Sequence, residues 1–136
     1  PSGIIHDDKT CVLGNGMVID PKAFFEEVDQ IAEQGVEVSP ERLKVSSRAH
    51  LIMPYHRALD HTSEERLGNE KIGTTLRGIG PAYEDKAGRR GIRVADAMSP
   101  EILKLRIERN LEEANRIIVL YGNQPLRADE ILAEIT

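Results

Sequence analysis

Apolar residues recur every three or four positions in several stretches of the chain, which is the spacing of an amphipathic helix. The first stretch follows Asp20-Pro21, a pair suited to a helix cap and a first helical turn, and it ends at Gly35. The longest stretch runs from Ser99-Pro100 to Gly122. Shorter helices are predicted from Pro54 to Gly68, from Pro81 to Gly91 and from Ala128 to Ile135. The pattern therefore predicts four or five helices.

Alternating and β-branched apolar residues predict two or three short strands. One strand is predicted to enter and leave a loop at Gly14-Asn15-Gly16, where Asn-Gly also suits a hairpin turn. Another is predicted between Leu43 and Met53, after a turn at Ser39-Pro40. So few strands cannot build the sheet of a parallel, helix-covered architecture. We therefore predict one helix-rich α/β unit, residues 1–136, whose helices pack on each other or on protein outside this sequence.

Composition excludes several classes of protein. A single cysteine cannot close an intrachain disulfide, which excludes disulfide-rich secreted scaffolds and favours a reducing compartment. The longest apolar runs have four or five residues, whereas a membrane helix needs roughly 20. No basic-then-apolar leader opens the sequence. We expect a cytoplasmic protein that has no membrane partner.

Positive charge is concentrated between residues 71 and 93. The chain has a formal charge of −5, but this stretch has six basic residues against two acidic ones, and it holds five of the eleven glycines. A cationic stretch in an acidic chain favours one localised anion site over a broad nucleic-acid surface. Its arginines are also not interleaved with aromatic residues, as base stacking requires. We expect no nucleic-acid partner.

The same stretch carries the features that phosphate recognition needs. Residues 71–81 read Lys-Ile-Gly-Thr-Thr-Leu-Arg-Gly-Ile-Gly-Pro, so they offer flexible backbone, two hydroxyls and a helix N-terminus. If the following helix continues, Lys86, Arg89, Arg90 and Arg93 share one face. Residues 71–93 are thus predicted to be a phosphate-binding loop and a basic helix. Spacing alone leaves a solvated or protein-binding basic face equally open.

Established nucleotide and metal motifs are absent. The sequence contains no G-x-x-x-x-G-K-[ST], and the Gly78-Ile79-Gly80 triplet lacks the third glycine of a dinucleotide fingerprint. His56 and His61 are five residues apart, off the helical register that aligns two metal ligands, so no metal site is predicted. Acid–base chemistry at Tyr55-His56 is conceivable, but a hydrogen-bonded structural histidine is favoured.

One twelve-residue segment resembles a known family. Residues 78–89 read Gly-Ile-Gly-Pro-Ala-Tyr-Glu-Asp-Lys-Ala-Gly-Arg, which is similar to the second signature of the adenylosuccinate synthetase family. The resemblance extends through Ile72-Gly73-Thr74-Thr75 and returns at Pro1-Ser2-Gly3, Gly14-Asn15-Gly16, Asp20-Pro21 and Tyr55-His56. It covers most of residues 1–95, whereas the tail from Ser99 is similar only in its helical character.

This resemblance implies a larger α/β enzyme related to P-loop GTPases. The family joins IMP to L-aspartate: GTP phosphorylates the purine O6, and the amino group of aspartate displaces it to give adenylosuccinate on the route to AMP. Mg²⁺ is the implied cofactor, and GDP and phosphate are the other products. The family's catalytic aspartate and histidine lie in and after an N-terminal GDEGKGK segment that this sequence does not contain. The chain is therefore expected to be an interior segment of a purine-biosynthesis ligase, inactive alone.

The resemblance also implies part of an IMP site. Thr75 matches the threonine that contacts the nucleotide's phosphate, and Arg89 matches the arginine that reaches the nucleotide across a homodimer interface. Lys86 matches an active-site lysine, whose charge is expected to support the phosphate-binding field rather than to transfer protons. Thr74 and Arg77 are expected to support the site.

One departure from the family pattern is Leu76, where the family often has glycine. Roles for Arg77, Arg90 and Arg93 are left open. Two rival hypotheses from other classes also stay open: a noncatalytic helical interaction module with a basic anion-binding face, and a small nucleic-acid-binding domain, which salt-dependent binding of arbitrary RNA or DNA would reveal.

Overall fold

Six helices and four short strands make up most of the fold, and the computed structural model describes all 136 residues. The helices are α1 (Pro21–Glu33), α2 (Pro54–Leu67), α3 (Ile79–Ala87), α4 (Val94–Ala97), α5 (Pro100–Leu120) and α6 (Ala128–Ile135). The strands are β1 (Cys11–Leu13), β2 (Val18–Ile19), β3 (Leu43–Val45) and β4 (His50–Leu51). Single 3₁₀ turns cover Ser2–Ile5 and Gly68–Glu70. The predicted helix-rich α/β class is confirmed.

The strands pair in parallel, and the hairpin suited to Asn15-Gly16 does not form. β1 lies beside β3 with Cys11 opposite Leu43, and β2 lies beside β4 with Val18 opposite His50. Both pairs have the same offset of 32 residues, so they are two parts of one interrupted parallel ladder. α1 provides the crossover that parallel pairing requires. The glycine loop interrupts the first extended stretch without reversing its direction.

A third segment pairs with β4 on its other side. The Leu51 N–H donates to the Ile92 carbonyl at 2.8 Å, and His50 forms an antiparallel bridge with Arg93. Ile92 is fully buried by this pairing. The chain that follows α3 is thereby fixed next to β4, which positions the Arg93 backbone beside His50.

The start of α1 is tied to two other helices. One oxygen of Asp20 accepts hydrogen bonds from the backbone N–H groups of Lys22 and Ala23, at 3.1 and 3.3 Å, as a helix cap does. The other oxygen accepts from Arg57 of α2 at 2.8 Å. Arg57 also donates to Glu134 of α6. The predicted Asp20 cap is therefore confirmed, and it also joins three helices.

α5 supplies the largest part of the hydrophobic core. Its buried side chains recur at helical spacing: Leu103, Ile107, Leu111, Ala114 and Ile118. They belong to one cluster with side chains from the strands, α2 and α6, among them Leu13, Ile19, Leu51, Met53, Tyr55 and Ile131. By contrast, α1 has no buried residue. Helix packing rather than a sheet therefore dominates the core, as the shortage of strands predicted.

Most predicted helices form close to their expected bounds. α1, α2, α5 and α6 are confirmed, and the turn at Ser39-Pro40 precedes a strand as predicted. α4 was not predicted, because four residues are too few to show an apolar period. The observed four strands exceed the expected two or three because each extended stretch is interrupted once. No helix combines the length and the apolar composition needed to cross a membrane.

Candidate functional site

The threonine loop, defined here as residues 71–78, leads from the 3₁₀ turn after α2 into α3. Its side chains are exposed up to Arg77, whereas Gly78 is buried. Three of its residues, Gly73, Leu76 and Gly78, have positive φ angles of 77°, 56° and 81°. Such angles suit glycine and strain other residues. The departure at Leu76 therefore occurs at a position where glycine would relieve backbone strain.

Two carboxylates of α2 accept hydrogen bonds from the threonine loop and fix it against this helix. Asp60 accepts a hydrogen bond from the Thr74 hydroxyl with one oxygen and from the Gly78 N–H with the other, both at 3.0 Å. Glu64, one helical turn further on, accepts from the Gly73 N–H at 3.4 Å. Both carboxylates are buried. Sequence reasoning missed them, and the only available signal was a pair of acidic residues four apart on a predicted helix.

The two threonines have different surroundings. The Thr74 hydroxyl donates to Asp60 and accepts from the Leu76 N–H at 3.1 Å, so both its hydrogen-bonding roles are used within the protein. Thr75 is exposed, and its hydroxyl has no protein partner. Arg77 is likewise exposed and forms no ion pair. Thr75 is thus available to a ligand, whereas Thr74 shapes the loop.

α3 ends earlier than the spacing predicted. The helix stops at Ala87, and Gly88 closes its last turn. Arg89 then takes a φ of 61°, and the Arg90 and Gly91 N–H groups both turn back to the Asp85 carbonyl. The predicted basic helix is therefore wrong beyond Lys86: the arginines at 89, 90 and 93 follow the helix instead of sharing its face.

Three of the four predicted basic residues nevertheless come together. They border a polar cleft of about 410 Å³, called here the cationic cleft, which is lined by His50, Lys86, Arg89, Gly91, Arg93, Asp96 and Arg106. No hydrophobic side chain lines it. The threonine loop is not part of its lining. Arg106 of α5 and His50 of β4 were not predicted, because only the fold brings these distant positions together.

Positive charge in the cleft is largely uncompensated. Asp96 forms an ion pair with Arg106 at 3.2 Å and accepts from the Arg93 backbone N–H at 2.8 Å, whereas the guanidinium groups of Arg89 and Arg93 form no ion pair. Burial is the main cause that lowers the pKa of His50; the charges of Lys86 and Arg93 lower that pKa further, and the charge of Asp96 opposes them. An anionic group entering the cleft would relieve repulsion among these cations.

Lys86 connects α3 to the glycine loop of the strand layer. Its ammonium donates to the Asn15 carbonyl at 3.1 Å and lies 5.9 Å from the centre of the Tyr83 ring. The Tyr83 hydroxyl donates to the neighbouring Gly16 carbonyl at 2.8 Å. Lys86 therefore has a structural contact as well as a position at the edge of the cationic cleft.

Tyr55 and His56 have structural environments. His56 is only 1% exposed, and its Nδ1 atom accepts from the Met53 N–H at 2.9 Å. Its Nε2 atom, which therefore carries the proton in the neutral ring, donates to Asp85 at 2.7 Å. Burial raises the pKa of Tyr55, whose hydroxyl accepts from Asn110 at 3.2 Å. Both side chains join α2 to neighbouring helices. Tyr55 also borders a cavity of about 260 Å³ between α2, α3 and α5, which is separate from the cationic cleft.

The Asp85 carboxylate is expected to make stability depend on acid pH. Burial alone would raise its pKa, but the hydrogen bond from His56 and the charge of Arg90 outweigh burial and lower that pKa. This stabilisation is present above the unfolded pKa of Asp, 3.8, and is lost as the pH falls through the lower folded pKa. Asp85→Asn keeps an oxygen for His56 but loses the charge.

We therefore expect Asp85→Asn to lower the free energy of unfolding by about 1 kcal/mol at pH 7, and by progressively less as the pH falls below 3.8. Urea unfolding of this chain and of the variant across that range measures the difference. A deficit that stays constant with pH would contradict the proposed ionic contribution.

Residues that could bind a metal do not cluster. No three His, Cys, Asp or Glu side chains come close enough to one another to form a metal site. The single cysteine, Cys11, is buried in the strand layer. The predicted site residues therefore offer hydroxyl, ammonium and guanidinium groups, which suit an anion rather than a cation.

Comparison with known proteins shows which family this sequence is similar to. The family model of adenylosuccinate synthetase matches residues 1–136, which is the whole chain. The chain belongs to the adenylosuccinate synthetase family. It is 51% identical over 137 aligned residues to the adenylosuccinate synthetase of Nitratidesulfovibrio vulgaris strain DP4, and 56% identical over 135 to that of Clostridium acetobutylicum. The resemblance of residues 78–89 to this family is confirmed.

The synthetase match covers only part of the relatives. Each alignment includes 98–99% of this chain but 32% of the relative, so the chain spans about a third of the length of these synthetases. A solved structure of fully ligated adenylosuccinate synthetase from Plasmodium falciparum is 32% identical, with a TM-score of 0.81 over 99% of this chain and 31% of that one. The fold described above is therefore that of a segment of the synthetase fold.

Proposed function

We propose that this chain supplies part of the IMP-binding site and of the homodimer interface of an adenylosuccinate synthetase. The complete enzyme would join IMP and L-aspartate, with hydrolysis of GTP, to give adenylosuccinate for AMP synthesis. Thr75 would contact the phosphate of IMP within one subunit. Arg89 would contact the IMP bound by the other subunit. Family membership supports the reaction class, and the placement of these two residues supports their division between subunits.

The main observation behind this proposal is that the Thr75 hydroxyl and the Arg89 guanidinium both lack a partner within the chain and lie in different places. The Thr75 hydroxyl is exposed on the threonine loop, and the Arg89 guanidinium lies at the cationic cleft without an acidic partner. Thr75 is not among the residues that line that cleft, so Arg89 and Thr75 of one subunit do not meet there. A second subunit that supplies Arg89 in trans would resolve the separation.

Mg²⁺ and GTP belong to other parts of the proposed enzyme. The donor set of this chain does not fit a resident metal ion, since no cluster of suitable ligands forms. We therefore derive no step through Mg²⁺ from these residues. Their contribution is binding and orientation: donors directed at the phosphate fix where the purine ring lies, and the residues that react with the ring come from elsewhere.

Lys86 is proposed to support the field that holds the phosphate. Its ammonium borders the cationic cleft and is fixed by the Asn15 carbonyl, so it acts at a distance as a fixed positive charge. We expect Lys86→Met to raise KM for IMP by about threefold to tenfold at low salt, and by less at high salt. The pH–rate profile of the full-length enzyme checks the role. Loss of one limb of that profile in the variant would instead indicate proton transfer.

The overall proposal is tested by comparing two forms of the protein. A full-length synthetase chain that contains these residues is expected to convert IMP, aspartate and GTP to adenylosuccinate. The isolated 136-residue chain is expected to give no product, since the family's catalytic aspartate and histidine are not in its sequence. The assay follows adenylosuccinate and GDP together. Turnover by the isolated chain would contradict the proposal.

A further inference from the structure

We propose that Asp60 is a positioning residue for IMP binding, acting through the threonine loop without touching the nucleotide. This inference rests on the proposed role of Thr75. Its starting observation is that one buried carboxylate takes both of its hydrogen bonds from the loop that carries Thr75. Those two contacts bracket the loop residues from 74 to 78.

The contacts fix the loop on both sides of Thr75. Asp60 accepts from Thr74, the residue immediately before it, and from the Gly78 N–H at the start of α3. Thr74 also fixes the residue after Thr75, because the Thr74 hydroxyl accepts from the Leu76 N–H. Thr75 is therefore held by its two neighbours while its own hydroxyl stays exposed and unengaged.

Burial makes this restraint stronger than a surface contact. Asp60 is only 7% exposed, and hydrogen bonds to a charged group in such an environment are the strong ones. The loop also needs restraint, since Gly73, Leu76 and Gly78 all have positive φ angles. Without Asp60 the strained backbone at Leu76 would relax to other conformations. The ordering of the loop would then have to accompany IMP binding and weaken it.

The experiment is a double-mutant cycle in the full-length synthetase. Asp60→Ala, Thr75→Val and the double variant are compared by the Kd for IMP and by KM and kcat. Each single change is expected to raise the Kd for IMP about tenfold, the size of one hydrogen bond to a charged group. The double variant is expected to bind IMP no more weakly than Thr75→Val alone, since Asp60 acts through Thr75. KM for GTP and kcat at saturating IMP are expected to stay near wild type.

Conservative and control variants separate positioning from folding. Asp60→Asn is expected to retain part of the affinity, because its amide oxygen can still accept one of the two hydrogen bonds. Asp29→Ala removes an exposed aspartate of α1 and is expected to leave the Kd for IMP unchanged. If Asp60→Ala does not fold, two Thr74 variants test the positioning role instead. Thr74→Val removes the hydroxyl that contacts Asp60 and is expected to weaken IMP binding, whereas Thr74→Ser keeps a hydroxyl and is expected to bind IMP like the wild type.

The outcomes distinguish the positioning role of Asp60 from the proposed contact of Thr75 with IMP. If Thr75→Val leaves the Kd for IMP unchanged, the proposed role of Thr75 is wrong. If Thr75→Val weakens binding but Thr74→Val and any folded Asp60 variant do not, only the positioning role is wrong. Effects of Asp60→Ala and Thr75→Val that multiply in the double variant, or an equal rise in KM for GTP, would also overturn it.

Discussion

Arg89→Ala in a full-length synthetase is expected to raise the Kd for IMP about a hundredfold. A guanidinium–phosphate contact is charge-assisted and contributes about 2–3 kcal/mol, which corresponds to a loss of this size. Arg89 is exposed, and its guanidinium forms no ion pair within its own subunit. The folding stability of the variant is therefore expected to remain near that of the wild type.

Measurement of Kd by titration calorimetry checks the size of this effect. Arg109→Ala serves as a control, since Arg109 is an exposed arginine of α5 that does not line the cationic cleft. An unchanged Kd for IMP in Arg89→Ala would contradict the role that the family signature assigns to Arg89. A loss shared equally by Arg109→Ala would indicate general electrostatics instead of a specific contact.

Mixed dimers test whether Arg89 acts across the subunit interface. Subunits carrying Arg89→Ala retain Thr75, and subunits carrying Thr75→Val retain Arg89. If the site is shared, each mixed dimer has one site with both groups. With IMP far below the Kd of either variant, random exchange of the two variants is therefore expected to restore about a quarter of the wild-type activity. If each subunit instead used its own Arg89, mixing would give only the average of the two parents.

The helices were predictable because their signals are local. The Asp20-Pro21 cap and the apolar period predicted α1, and a similar pattern predicted α5 from Ser99-Pro100 onward. The end of α3 was not predictable, because Gly88 and Arg89 turn the chain after a sequence that continues the basic period. Helix propensity alone does not show where a glycine will be used as a cap.

The strand pairing was beyond local reasoning. Residues 11–19 and 43–51 pair in parallel across α1, and nothing within either stretch specifies its partner. The Asn15-Gly16 pair also suited a hairpin, because Asn-Gly is a strong local signal for a tight turn. A parallel partner 32 residues away satisfies the same backbone groups through a crossover helix.

The candidate site was predicted only in part. Glycine content, charge and the family signature predicted Thr75, Lys86 and Arg89 as site residues, and the structure leaves the Thr75 hydroxyl exposed and places Lys86 and Arg89 at the cationic cleft. Sequence reasoning missed Asp60 and Arg106, because these residues join the site through helix packing over long sequence separations. A buried carboxylate beneath a loop has no sequence signature of its own. Local chemistry therefore indicates candidate ligand-binding groups, whereas the residues that position those groups become evident only from the fold.

Gly78→Ala is expected to lower the free energy of unfolding by about 3 kcal/mol. The φ of Gly78 is 81°, a conformation that costs alanine about 1 kcal/mol. A β-carbon there would also lie 2.7 Å from the Arg57 nitrogen and 2.8 Å from the His56 carbonyl carbon, both backbone atoms of α2. Backbone cannot move aside as a flexible side chain can, so overpacking adds about 2 kcal/mol. The junction of the threonine loop and α3 would have to separate from α2.

Gly80→Ala is the matched control for this junction. Gly80 lies two residues further on, within α3, and has no positive φ. A β-carbon added to Gly80 would meet no atom of another part of the chain within 4 Å. Alanine there is expected to leave stability unchanged or to raise it by up to about 1 kcal/mol, since glycine weakens a helix. Urea unfolding of both variants gives their midpoints, which are compared at equal dependence of the unfolding free energy on urea concentration. Equal midpoints for Gly78→Ala and the wild type would mean that the loop does not pack against α2 as described, and that Asp60 does not hold it there.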